Sequence, residues 1–292
     1  MRPAPALAAA LALFAAAGCA SLPLGAVENR IVFFPHPYPI GDWTPDPRVR
    51  DVTIDSADGV RLHGWLAEPD SGPPREVVLF CHGNGRNVTT RRHVLSLFRD
   101  RLGCSVLVFD YRGYGKSTGR PSEAGVLADA RAARRWLADH AGVPEGDVVV
   151  VGHSLGGGVA VDLAATDGAR ALVLEGTFTN LPDVAESHVP CLPVRAAMRA
   201  GLNSVGKIPA YRGPLLQVHG DADEVVPYRL GRELHAAANE PKRFVTVPGG
   251  NHNDLYTPEY VAELDRFLGA LPPRAAGGLA PRTPAAVGAS VP

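Results

Sequence analysis

Excess charge and sulfur are what this chain has least of. Its 292 residues carry 29 Lys and Arg against 30 Asp and Glu, a formal net charge of −1, with four cysteines and two methionines. With no basic excess and no long charge run, the sequence excludes a nucleic-acid binder that works by neutralising phosphates. No internal repeat is present, which removes the repeat architectures. No group of Cys, His and carboxylates has metal-ligand spacing. Gly115-Lys116-Ser117 ends like a phosphate loop, but the glycine needed five residues earlier is Asp110, and no G-x-G-x-x-G accompanies it. No cofactor is implied. What remains is a hydrophobic share of 46% with 20% charged residues, enough for a large buried core in one large domain or two small ones.

A bilayer-spanning run is also missing. The N-terminus, MRPAPALAAALALFAAAGCAS, has one Arg and an apolar run from Ala6 to Ala17, whereas a spanning helix needs about 20 apolar residues. Residues 1–18 read as a secretory signal. Ala16-Ala17-Gly18-Cys19 resembles the lipobox of bacterial lipoproteins. That resemblance implies cleavage before Cys19, lipid on Cys19, a linker over residues 19–45 and a place in the bacterial cell envelope, anchored in the membrane. Ala20 lacks the Asp that tends to retain such proteins on the inner membrane, which favours the outer one. The alternative is an ordinary signal peptide with a chance cysteine.

Residues 51–54 and 60–67 alternate as strands around Asp58-Gly59, a hairpin signal. Further strands are expected at 77–81, 106–110, 148–151, 171–175, 215–219 and 244–247. Helical spacing is expected over 90–102, 122–140, 155–165, 228–238 and 258–268. Continuous apolar strands alternating with helices predict an α/β fold, a mostly parallel sheet covered on both faces, over residues 46–271. Sites in such sheets lie at the carboxyl ends of the strands. Residues 177–210 hold four prolines and break the rhythm, so a small cap is expected there. The Pro- and Ala-rich residues 272–292 read as a disordered tail. Cys81 ends one strand and Cys104 precedes the next. If the strands are parallel neighbours, about 16 Å separates the two thiols, and a disulfide needs Cα atoms within about 7 Å. No 81–104 bridge is expected.

Gly152-His153-Ser154-Leu155-Gly156 lies between an apolar strand and an apolar helix. This is the G-x-S-x-G nucleophile elbow, in which a serine stands clear of the sheet on a strained turn and glycines on either side admit the close approach. A serine hydroxyl needs a base held by an acid. On this arrangement the partners follow in the order Ser, Asp or Glu, His. The loop after 215–219 offers Asp221, Asp223 and Glu224, and the loop after 244–247 offers His252 and Asp254. Both loops open on the face that carries Ser154.

The stretches Phe80-Cys81-His82-Gly83-Asn84-Gly85, residues 110–117, the Ser154 elbow, residues 219–227 and Gly250-Asn251-His252-Asn253 resemble, in order, the α/β-hydrolase superfamily. Within it they resemble the compact serine hydrolases of the Bem46 and ABHD-type group and related S33-type peptidase-like enzymes. The resemblance implies Ser154 as nucleophile, Asp223 as acid and His252 as base, with the main-chain N–H groups of Asn84 and Leu155 as the oxyanion hole. It implies structural roles for His82, His153 and His219. The expected activity is hydrolysis of a small-molecule or acyl ester, thioester or amide. The alternatives are a serine peptidase and an envelope scaffold that keeps the fold without turnover.

Overall fold

The computed structural model describes residues 32–191, 194–198 and 201–273. The leader, Cys19 and all but the first two residues of the tail lie outside them. Eight strands form one sheet: β1 (Arg50–Asp55), β2 (Arg61–Ala67), β3 (Val77–Cys81), β4 (Ser105–Phe109), β5 (Val149–His153), β6 (Ala171–Glu175), β7 (Leu215–Gly220) and β8 (Lys242–Val247). Their order across the sheet is β8-β7-β6-β5-β3-β4-β2-β1. The β1–β2 hairpin turns at Asp58, which takes φ 66°. β2 runs antiparallel to β1 and β4, and every other pair is parallel. The carboxyl ends of β3, β5, β6, β7 and β8 therefore share one edge.

The helices are α1 (Arg92–Ser96), α2 (Glu123–Ala141), α3 (Leu155–Asp167), α4 (Leu181–His188), α5 (Val194–Ala197), α6 (Ser204–Lys207), α7 (Tyr228–Ala237) and α8 (Pro258–Gly269). The expected 90–102 helix is broken into a 3₁₀ turn, α1 and a π turn. α2 starts where Ser122 Oγ accepts the Gly125 N–H and stops at Gly142, φ 66°, as a capped helix should.

Alternation along the strands splits the core in two. Val77, Leu79, Val150 and Leu172 pack against α2, α3 and α7. Val78, Phe80, Val149 and Val173 pack against α1 and α8. Each fully buried Val or Leu contributes roughly 1.5–3 kcal/mol. The pairing of Val77 with Ser105 puts Cys81 and Cys104 at opposite ends of their strands. Both are buried and unbridged, and Cys191 is exposed and unbridged.

Residues 177–210 hold α4, α5 and α6, three short helices where the sequence pattern was weak. The Glu123 carboxylate of α2 accepts the Gly201 and Leu202 amides at 2.8 and 3.0 Å, and Leu202 and Ile208 are buried. The stretch before β1, read as a linker, differs from that reading from Val32 onward. Phe33 is buried, Phe34–Pro35 pairs with Gly85–Arg86, and the Tyr38 N–H donates to the Gly115 carbonyl at 2.7 Å. The turn after β3 exposes peptide and amide groups, and this extended chain satisfies them.

Candidate active site

Ser154 joins β5 to α3 with φ 53° and ψ −120°, a strained conformation for a residue with a side chain. The neighbouring glycines are required by contact. A Cβ on Gly156 would stand 2.0 Å from the Cys81 carbonyl oxygen, and one on Gly152 would stand 2.4 Å from the Gly156 oxygen. The turn is held from outside as well. The Ser154 N–H donates to the Glu175 carbonyl at 2.8 Å, and Thr177 Oγ1 donates to the Ser154 carbonyl at 2.9 Å. Leu155 opens α3, where first-turn amides have no partner inside the helix.

His82-Gly83-Asn84 lies against this elbow. A Cβ on Gly83 would come within 2.9 Å of His153 Nδ1 and 3.3 Å of Ser154 Cβ. The Asn84 side chain fixes the turn: Oδ1 accepts from the Phe34 N–H at 3.0 Å and from Tyr114 Oη at 2.9 Å, and Nδ2 donates to the Val32 carbonyl at 2.5 Å. Tyr111 Oη donates to the His82 carbonyl at 3.1 Å. Arg112 is turned away and pairs with Asp129 and Asp58.

Asp223 and His252 meet. His252 Nδ1 is 2.8 Å from Asp223 Oδ2. The other oxygen, Oδ1, accepts the Val225 and Val226 amides at 2.8 Å each. His219 Nε2 is 3.2 Å from Oδ2 and 2.9 Å from the Val226 carbonyl. Burial alone would raise the Asp223 pKa. Hydrogen bonds from His219, His252 and the Val226 amide more than reverse this and hold it well below the usual carboxylate range. Asp221 goes elsewhere: its Oδ1 accepts the Gly249 amide at 2.6 Å. Glu224 is exposed, and Asp254 caps the Asn251 amide. Asp221 is thus a brace between the two loops. Asn251 is another, accepting the Glu224 and His252 amides through Oδ1.

Ser154 and His252 flank one piece of backbone. The Glu175 carbonyl receives the Ser154 amide, and a Cβ on the next residue, Gly176, would stand 3.4 Å from His252 Nδ1. His153 closes the group from behind, with ring centroids 5.1 Å apart and Nε2 3.3 Å from the His252 carbonyl. Burial and the neighbouring His252 keep His153 well below its ordinary pKa. Burial likewise pushes His82 down to about 3. Among the described residues, Ser154 Oγ makes no hydrogen bond, and no cluster of three or more His, Cys, Asp or Glu is placed to hold a metal.

Two groups at this edge carried no signal in the sequence pattern. Glu175 is fully buried, with its two carboxyl oxygens accepting Tyr256 Oη and Tyr260 Oη at 2.7 Å each. Burial raises its pKa to about 7 against the lowering effect of both tyrosines. Arg91 lies at the end of the 3₁₀ turn before α1.

A parallel sheet with a strained serine elbow and an Asp–His pair on neighbouring strand ends defines the α/β-hydrolase class of fold. The family model described as "alpha/beta hydrolase fold" matches residues 76–205. An uncharacterized protein of Mycobacterium tuberculosis is 42% identical over 78% of this chain and 81% of its own length. The alpha/beta hydrolase domain-containing protein WAV2 of Arabidopsis thaliana is 32% identical over 80% of this chain and 83% of its own. Protein bem46 of Schizosaccharomyces pombe is 29% identical over 77% and 80%. The esterase Pf2001 of Pyrococcus furiosus superposes with a TM-score of 0.65 at 22% identity, over 81% of this chain and 98% of that one. The chain belongs to the α/β-hydrolase family, with Bem46 and WAV2 among its relatives.

Proposed function

We propose that this protein is a serine hydrolase that cleaves a carboxylic ester or thioester through an acyl-enzyme. The observation that carries the reading is Ser154 on its strained elbow beside a His252–Asp223 pair at 2.8 Å. Ser154 Oγ attacks the substrate carbonyl carbon as His252 Nε2 takes its proton. Asp223, with its second oxygen fixed by two amides, holds Nδ1–H and stabilises the imidazolium. The oxyanion rests on the Asn84 and Leu155 N–H groups, main-chain donors set before the substrate arrives. His252 passes its proton to the leaving oxygen of an ester or sulfur of a thioester, and water, deprotonated by the same imidazole, releases the acid and restores Ser154. Esterase neighbours on the same fold support an ester over an amide.

Treating the folded protein with a fluorophosphonate probe and mapping the adduct by mass spectrometry tests this reading. The expected result is labelling at Ser154 that is lost in Ser154→Ala and His252→Ala. A folded sample that stays unlabelled would overturn it. The lipid anchor is a proposal of its own: Cys19→Ser should move the protein from the membrane fraction to the soluble one, and continued membrane association would reject lipidation.

A further inference from the structure

A small pocket of about 70 Å³ lies beside His252, with Phe80, Arg91, His93, His153 and Tyr256 among its walls. The volume accommodates a group the size of a carboxylate or phosphate. The charge in the pocket comes from Arg91. It is in no ion pair among the described residues, and its one hydrogen bond runs from a terminal nitrogen to the Gly85 carbonyl at 3.4 Å. Its Nε is buried with no acceptor. A buried donor without a partner calls for an explanation, and an acceptor brought by a ligand is one.

The other groups nearby do not supply that acceptor. Glu175 senses Arg91, but its two oxygens take the Tyr256 and Tyr260 hydroxyls. Asp110 acts on it only at a distance: Oδ1 accepts the Val88 amide at 2.9 Å, and Oδ2, which has no hydrogen-bond partner, is 3.6 Å from His63 Nδ1. Arg86 stands close enough to add positive charge. Burial and Arg91 hold His93 below its ordinary pKa, and His153 is held neutral more firmly still. Arg91 thus lines the pocket with no ion-pair partner among the described residues, Asp110 and Glu175 acting on it only at a distance, and its guanidinium is a planar fork of donors suited to a carboxylate or phosphate.

We infer that this pocket binds an anionic group of the substrate, a carboxylate or phosphate close to the scissile bond, and that Arg91 is its specificity-determining residue. The inference rests on the hydrolase reading for its role in catalysis, because the pocket shares His252 with the proposed triad. It makes the preferred substrate a half-ester of a diacid, or an ester whose alcohol carries the charge.

The test compares kcat/KM for mono-4-nitrophenyl glutarate against 4-nitrophenyl butyrate, and for 4-acetoxybenzoate against its methyl ester. These pairs place the charge on the acyl and on the leaving side. In one pair the wild type should favour the anion by about tenfold or more, mainly through KM, as expected for a charged hydrogen bond. Arg91→Met should abolish that ratio, and Arg91→Lys should keep part of it. Glutarate and inorganic phosphate, each titrated calorimetrically into wild type and Arg91→Met, tell the two anions apart and need no turnover. Wild-type binding that Arg91→Met loses supports the pocket even if Ser154 proves inert, which would sink only the hydrolase reading. Turnover of neutral esters with no anionic preference in either pair, or equal anion binding by wild type and Arg91→Met, would overturn the inference.

Discussion

Asp223 and Glu175 are buried carboxyl groups on adjacent strand ends, β7 and β6, and the protein treats them oppositely. Asp223 receives two backbone amides on one oxygen and faces two imidazoles with the other. Glu175 receives only two phenol hydroxyls. Burial raises both pKa values, and only at Asp223 do the donors outweigh it. The deeper burial of Glu175 and the number and charge of the donors at Asp223 together decide which carboxyl stays ionised. The ionised one is placed to steady a histidine. The other sits under the elbow, its main chain holding Ser154 and its side chain holding the start of α8.

Substitutions can break this contrast, and the largest effect is expected at Asp223. Asp223→Asn should lower kcat by about 10⁴-fold, because an amide favours the wrong histidine tautomer. Asp221→Asn, which only loosens a loop brace, should leave kcat near wild type. Steady-state kinetics on one ester decides between them, and the reverse pattern would make Asp221 the acid.

Glu175→Gln should change stability more than rate. The folded protein keeps a proton on Glu175 up to about pH 7, whereas an ordinary glutamate loses it near 4.5. The unfolded chain thus binds fewer protons in that window, and stability falls as pH rises through it, on the order of 3 kcal/mol in all. Denaturant midpoints at pH 5 and pH 8 should show a flatter response in Glu175→Gln than in wild type. Parallel responses would mean that Glu175 is already ionised in the folded state.

The smallest change is Tyr260→Phe. It removes one of the two phenols on Glu175 and should cost about 1–2 kcal/mol in thermal or denaturant unfolding. A loss of activity as large as that of Asp223→Asn would mean that Glu175, and not only Asp223, governs the chemistry.

Much of this edge was legible in the sequence. Gly152 and Gly156 flank Ser154 because a side chain would strike the Gly156 oxygen at the first and the Cys81 carbonyl at the second, and steric need of that kind leaves a fixed spacing. Asp223 and His252 occupy loops whose strands were plain from their apolar runs. Glu175 was not legible, since a glutamate closing an apolar strand reads as a surface residue and its partners lie 81 and 85 positions away. Arg91 sits in the polar run Thr89-Thr90-Arg91-Arg92-His93, which reads as the solvated start of a helix. Residues 32–45 carry the prolines of a linker, and their docking depends on groups at Asn84 and Gly115 that no local pattern reveals.

Asn84 grips the incoming chain at Val32 and Phe34 with the same side chain that sets the turn beside Ser154. The chain that leads back to the N-terminus is thus tied to that turn. If Cys19 is anchored as proposed, the thirteen residues to Val32 (32 − 19) reach at most about 45 Å when fully extended. The edge that carries Ser154 is then kept near the bilayer, the phase in which lipophilic esters are concentrated.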